Sequence, residues 1–259
     1  MRIAILTAEE PLHLPRFFSR FLKCRARDVA GVFPCRPAYK NQTTFSLFRR
    51  YMKAFGAWNA LRLARRVASA RAKDLLGIGR RAGRFYSVRS VARHYGLLVE
   101  TPGDVNAPEF LERLRALGVD LILSVSCPQI FKADLINLPA LGCLNIHGAD
   151  LPKYRGIAPS FWMLAKGETQ AGVTIFYVNA GIDTGDAAGK RLFPILPDDT
   201  LDSFLLRAKR EACDLALETL ERIEAGTVER KPLGGEGSYF GFPTREAYIE
   251  FCKRGRRLW

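Results

Sequence analysis

Apolar residues fall along this chain in two alternating rhythms. Residues 2–7, 29–33 and 120–126 are short runs dense in Ile, Leu, Val and Ala, the mark of buried strands. Between them Phe17, Phe18, Phe21 and Leu22, then Phe110, Leu111, Leu114 and Leu117, recur at the three-to-four spacing of amphipathic helices. Residues 87–95 read as a short helix and 97–99 as a short strand, while Asn106 is placed to cap the helix through Phe110. Pro128 is expected to open a helical turn. Residues 142–147 predict a strand ending at His147, followed by a helix near 158–166 and strands over 172–178 and 190–195. Pro197-Asp198-Asp199-Thr200 then starts a long helix that ends near Gly226. Strands alternating with helices predict an α/β fold built on a doubly wound, mostly parallel sheet.

The order of these signals sets the expected domains. Residues 1–200 are expected to form the main domain, interrupted by a helical insertion over about 36–84, and 201–259 to add a helix and a short aromatic extension. With 259 residues the chain can bury a sizeable core. No apolar run approaches the roughly 18 residues of a membrane span, and Met1-Arg2-Ile3-Ala4 leads directly into a strand, without the pattern of a signal peptide. These features predict a cytoplasmic protein. Six scattered cysteines without a Cys-x-x-Cys pair, and three histidines, argue against a metal site.

Charge changes the picture in one place. Of the formal net charge of +14, residues 36–84 supply +12, from thirteen Lys or Arg and the single acid Asp74. Phe45, Phe48, Met52 and Phe55 recur at helical spacing there, interleaved with Arg49, Arg50 and Lys53 and followed by Trp58. Three readings stand: a solvated Arg-rich face, recognition of phosphate on a nucleotide or RNA, or peripheral docking on an anionic membrane surface.

The densest chemistry lies in Gly142-Cys143-Leu144-Asn145-Ile146-His147-Gly148 and in Gly181-Ile182-Asp183-Thr184-Gly185-Asp186. Strand alternation puts Asn145 and His147 on one face, at the C-terminal end where open α/β sheets bind ligands. An amide and an imidazole can stabilise the oxyanion of a tetrahedral intermediate, and a carboxylate such as Asp183 can orient the imidazole and take a proton from an attacking amine. Such a set needs no Ser or Cys nucleophile. The turn after the first strand holds no G-x-G-x-x-G, which argues against a dinucleotide enzyme.

Residues 142–156 together with Pro159, Gly172-Val173-Thr174 and Ile182-Asp183-Thr184-Gly185 resemble the 10-formyltetrahydrofolate-dependent formyltransferase family. The resemblance is clear over about 118–195 and compatible at 1–35. It implies a Rossmann-like formyltransferase fold with 10-formyltetrahydrofolate as co-substrate, without a metal. It further implies catalytic roles for Asn145, His147 and Asp183. Ser126, Cys127, Gln129, Ile130, Ala180, Gly181, Ile182 and Thr184 are expected around the pterin. Relatives carry Ser-Leu-Leu-Pro after the histidine, whereas Gly148-Ala149-Asp150-Leu151 precedes Pro152 here. Asp150 is therefore open to either a turn or a substrate contact, as are Tyr154, Arg155 and, from the coda, Tyr239. The expected acceptor is a primary amine on a small sugar-, nucleotide- or phosphate-bearing molecule. Hydrolysis of the folate, action on methionyl-tRNA and a non-catalytic folate-binding role are the alternatives, and a homodimer is compatible with all of them.

Overall fold

The computed structural model describes residues 1–37 and 44–259. The strands are β1 (Ile3–Ala8), β2 (Val29–Cys35), β3 (Leu121–Val125), β4 (Cys143–His147), β5 (Arg155–Gly156), β6 (Gln170–Tyr177), β7 (Ala187–Pro194) and β8 (Tyr239–Phe240). The α-helices are α1 (Leu14–Arg25), α2 (Thr44–Phe55), α3 (Ala57–Leu75), α4 (Val88–His94), α5 (Pro108–Ala116), α6 (Ala133–Ile136), α7 (Pro159–Lys166), α8 (Leu201–Glu224) and α9 (Arg245–Lys253).

Six strands form the central sheet in the order β2-β1-β3-β4-β6-β7. The first four are parallel, and β6 and β7 run antiparallel to their neighbours. The buried runs Ile3–Leu6 and Leu121–Val125 are apolar on both faces because helices cover both. On one face α1, α4, α7, α8 and α9 pack through Phe17, Phe18, Val91, Phe161, Phe204 and Phe251. On the other, α5 and α6 contribute Phe110, Leu111, Leu114 and Leu135. This is the doubly wound, mostly parallel arrangement that the alternation of elements predicts.

Local chemistry explains the boundaries, including those the sequence misplaces. Thr200 caps α8 by accepting a hydrogen bond from Ser203 N, and the Ser203 hydroxyl accepts one from Thr200 N. Asn106 does not cap α5; Ala107 precedes that helix. The Asn106 amide instead ties Asp104 Oδ1, the Ile130 carbonyl and Lys132 N together. Residues 97–99 form only one bridge, Val32 to Val99, because the edge beside β2 is met at a single point. Residues 128–129 only bend the chain, and helical geometry begins at Ala133. The coda contains α9, and β8 pairs in parallel with β5 instead of closing a hairpin on itself.

The basic insertion is two helices, α2 and α3, joined at Gly56, whose φ of 87° favours glycine. Phe55 is 4% exposed and packs edge-on against Phe161 and Tyr248 at 5.4 Å, so it belongs to the core and leaves the interleaved apolar series. Phe45 and Trp58, at 74% and 71% exposed, face outward. Among the described residues no helix is long and apolar enough to cross a membrane.

Candidate active site

Strand β4 delivers Asn145 and His147 to a cleft of about 560 Å³ at the C-terminal end of the parallel strands. Its other walls come from Ser126 and Cys127 after β3, the 156–161 segment, Asp183, and Leu205, Ala208 and Lys209 of α8. The three expected catalytic side chains therefore meet in one cavity, although Asp183 lies 36 residues beyond His147 in the chain.

His147 is 7% exposed and its ring is hydrogen-bonded at one nitrogen. Nε2 lies 2.8 Å from the carbonyl oxygen of Tyr154. A carbonyl can only accept, so Nε2 carries a hydrogen, and Nδ1 is the position at which a proton is gained or lost. Nδ1 faces Asp183 Oδ2 at 3.7 Å, too long for a direct hydrogen bond. The same Oδ2 accepts a hydrogen bond of 2.8 Å from Gly156 N, which fixes the carboxylate beside the ring.

The backbone around this cleft is held in costly geometry. Among the described residues, the non-glycine positions with positive φ are Ser126 (57°), Tyr154 (59°), Ala158 (54°) and Asp183 (52°). Three of them line the cleft, and the fourth supplies the carbonyl that holds His147. Strain of this kind collects where surrounding structure over-determines a site. The neighbouring glycines are sterically required. A Cβ at Gly185 would overlap the Tyr177 carbonyl, and one at Gly172 would press on the Asp150 backbone. Thr174, fully buried, donates to Ala149 O at 2.8 Å and accepts from Leu151 N at 3.0 Å, pinning the loop that leaves His147.

The remaining expected residues divide. Ser126 and Cys127 line the cleft. Gln129 is buried and clamps Val105 N, Arg36 O and Gly103 O, bracing the cleft floor without entering it. Ile130 and Ile182 are 62% and 52% exposed outside it. Ala180 and Gly181 are exposed in the loop before Asp183, and Thr184 Oγ1 donates to Asn179 Oδ1 at 2.9 Å. Asp150 pairs with Lys190 at 3.0 Å. Tyr154 stacks on Phe240 at 5.3 Å and donates from its hydroxyl to Glu168 at 2.5 Å. Arg155 pairs through its backbone with Tyr239 in the small sheet, its Nε buried without a hydrogen-bond partner, while Tyr239 is largely exposed.

Four charged residues at or beside the cleft escape sequence reasoning. Lys209 reaches Ser126 Oγ at 3.2 Å, and the protein packed around its amine pushes its pKa down through loss of water. His13 Nε2 contacts Asp202 Oδ1 at 2.9 Å, and its Nδ1 lies 3.4 Å from Glu10. Burial works against charge on His13, but hydrogen bonds to Asp202 and Glu10 outweigh it and raise the pKa. Burial likewise opposes ionisation of Glu10 and Asp202; contacts with His13, and for Asp202 also Arg66, bring each down to about 2. The signal for Lys209 is its place with Leu205, Ala208 and Ala212 on the inward stripe of α8; the His13–Asp202 pair leaves no local trace. Cys127, at the cleft wall, is held below the ordinary thiol range by a hydrogen bond from Cys35. Among the described residues no group of three His, Cys, Asp or Glu side chains is placed to hold a metal ion.

This geometry has counterparts. The methionyl-tRNA formyltransferase of Geobacter metallireducens is 40% identical over 144 residues, 56% of this chain and 46% of that protein. The matched region thus spans about half the length of such curated relatives. Among solved structures, glycinamide ribonucleotide transformylase 1 from Symbiobacterium toebii has the same fold, with a TM-score of 0.61, 20% identity, and coverage of 91% of this chain and 94% of that one. An N-formyltransferase from Helicobacter canadensis, in complex with folinic acid and dTDP-3-aminofucose, aligns with a TM-score of 0.59, 19% identity, and coverage of 93% and 71%. The formyl transferase family model matches residues 63–220, more than half of the chain. The chain therefore belongs to the formyl transferase family, enzymes that transfer formyl groups.

Proposed function

We propose that this protein moves a formyl group from 10-formyltetrahydrofolate to a primary amine on a small sugar-, nucleotide- or phosphate-bearing acceptor. The observation that carries the reading is the convergence of Asn145, His147 and Asp183 on one cleft, with the imidazole fixed by the Tyr154 carbonyl.

The neutral amine attacks the formyl carbon directly. The Asn145 amide and a proton on His147 Nδ1 face the cleft and stabilise the oxyanion of the tetrahedral intermediate. Asp183 stands 3.7 Å from that Nδ1, placed to take the proton shed by the amine. Collapse of the intermediate breaks the bond to the folate nitrogen, which receives a proton as it leaves. Ser126 and Cys127, on the cleft wall, would flank the folate ring. The six cysteines are all free, which fits a reducing, cytoplasmic setting.

The test supplies 10-formyltetrahydrofolate with pools of small amines and follows the gain of one formyl group by mass. Asn145→Ala, His147→Ala and Asp183→Ala should each lower turnover by about 10²–10⁴-fold. Wild-type rates in all three variants would overturn the mechanism. A second reading, action on methionyl-tRNA, is favoured by the identity to the Geobacter protein and by the +12 insertion. Formylation of charged initiator tRNA in preference to every small amine would establish it in place of the first. Formate release without any acceptor would point to hydrolysis.

A further inference from the structure

A second cavity, a groove of about 620 Å³, lies between the basic insertion and the segment that follows β1. One stripe of α3 forms its floor: Trp58, Arg62, Arg65, Ser69 and Lys73 recur three to four residues apart and all line it. Pro11, Leu12 and Arg16 form the facing wall, and Phe85 and Tyr86 close one end. No acidic side chain lines the groove among the described residues. Of its five cations only Arg66 has an acidic partner among the described residues, Asp202 outside the groove. Arg62 and Arg65 are neighbours on one helical face, where like charges repel at a cost to the helix. Such an arrangement is stabilised by an anion bound between the cations.

We infer that this groove binds the phosphate of a soluble organic phosphate, a nucleotide-sized anion whose apolar or aromatic body rests on Trp58, Leu61 and Phe85. The five cations supply the charge and, in the arginines, forked donors suited to phosphate oxygens. Trp58 and Leu61, 71% and 50% exposed, supply the surface for the body. The volume lies within the few hundred to about 1,000 Å³ of small-molecule sites. A flat bilayer cannot enter a concavity walled by three chain segments, which favours a soluble ligand over a membrane surface.

The groove adjoins the cleft. Pro11 and Leu12 face the groove, while Glu10 and His13 face the cleft. Arg66 donates to both oxygens of Asp202, at 2.9 and 3.0 Å, and Asp202 holds His13. Resting on the formyl-transfer reading, the groove is then where an acceptor places its phosphate while its amine enters the cleft.

The experiment titrates the full chain, without folate, with UDP, ADP and inorganic pyrophosphate by calorimetry at two salt concentrations. UDP or ADP should bind more tightly than pyrophosphate, because only they carry a body for the apolar wall. Arg62→Glu and Arg65→Glu should each weaken nucleotide binding about tenfold or more, the effect of losing one charge-assisted contact. Arg81→Glu with Arg84→Glu, on the same insertion but outside the groove, should change it less than about twofold. Thermal melts of each variant separate lost binding from lost folding. Equal weakening by both sets of substitutions would replace the site with a diffuse surface field and overturn the proposal. So would absent nucleotide binding together with groove-dependent binding to phosphatidylglycerol vesicles. Binding that survives in Asn145→Ala, His147→Ala and Asp183→Ala variants isolates this inference from the formyl-transfer reading, since neither result depends on turnover.

Discussion

The cleft and the basic insertion solve the problem of holding charged groups in opposite ways. In the cleft the ionisable pair has fixed partners, His147 the Tyr154 carbonyl and Asp183 the Gly156 amide, while Thr174 pins the loop that leaves His147. Glycines at 172 and 185 leave no room for alternatives. On the insertion, most cations face solvent or the groove without a carboxylate, and the helices are tied down by a few aromatic anchors such as Phe55. The cleft is therefore pre-organised for chemistry, while the insertion presents charge that a ligand can answer. Position is fixed by steric necessity in the first case and by attachment points in the second.

Removing an anchor tests that distinction hardest. Phe55→Ala should cost about 3–5 kcal/mol, the range for truncating a buried aromatic ring, read by denaturant unfolding. A cost near zero would mean that α2 and α3 do not depend on the core. Gly185→Ala should cost about 3 kcal/mol, at the upper end of overpacking penalties, with formyl transfer reduced as Asp183 is displaced. A stable variant with normal turnover would show that the 181–186 turn has slack.

The Glu10–His13–Asp202–Arg66 chain, which joins the two regions, makes a pH-dependent prediction. His13 is raised above its ordinary 6.5, so its stabilising contribution is complete below that value and lost as pH rises through the raised pKa. Glu10 and Asp202 are lowered to about 2, so theirs is complete above 4.5 and 3.8 and lost as pH falls. Melting temperature should therefore fall on the alkaline side of His13's titration, and His13→Gln should remove that fall. An unchanged profile in the variant would assign it elsewhere. The smallest effect is expected at Phe45, 74% exposed: Phe45→Ser should stay within about 0.5 kcal/mol of wild type in the same unfolding measurement.

Much of the sheet was legible because its strands are apolar on both faces and its longest helix carries an explicit cap at Thr200. Asn145 and His147 were legible for the same local reason: alternation on β4 places both. Asp183 required the motif, since its turn reaches the cleft only through tertiary folding. Phe55 was misread because helical spacing reveals a stripe without saying whether the stripe meets a core or water. Lys209 shares the inward stripe of α8, but Arg207 and Arg210 beside it make that stretch read as a charged surface. His13 and Asp202 stand 189 residues apart, and no periodicity connects them. Helix α9 went unseen because its nine residues bury only Phe251 among charged neighbours.

Tyr154 gives the site a dependence on time. Its carbonyl orients His147, yet its own position is set from far downstream: its N–H is held by Ser238 Oγ, and its ring lies on Phe240. Ribosomes deliver those partners some ninety residues after the histidine. A growing chain can assemble β1 to β4 and still lack a fixed imidazole, because the clasp has not been made. The orientation of His147 is thus completed only when residues 238–240 dock.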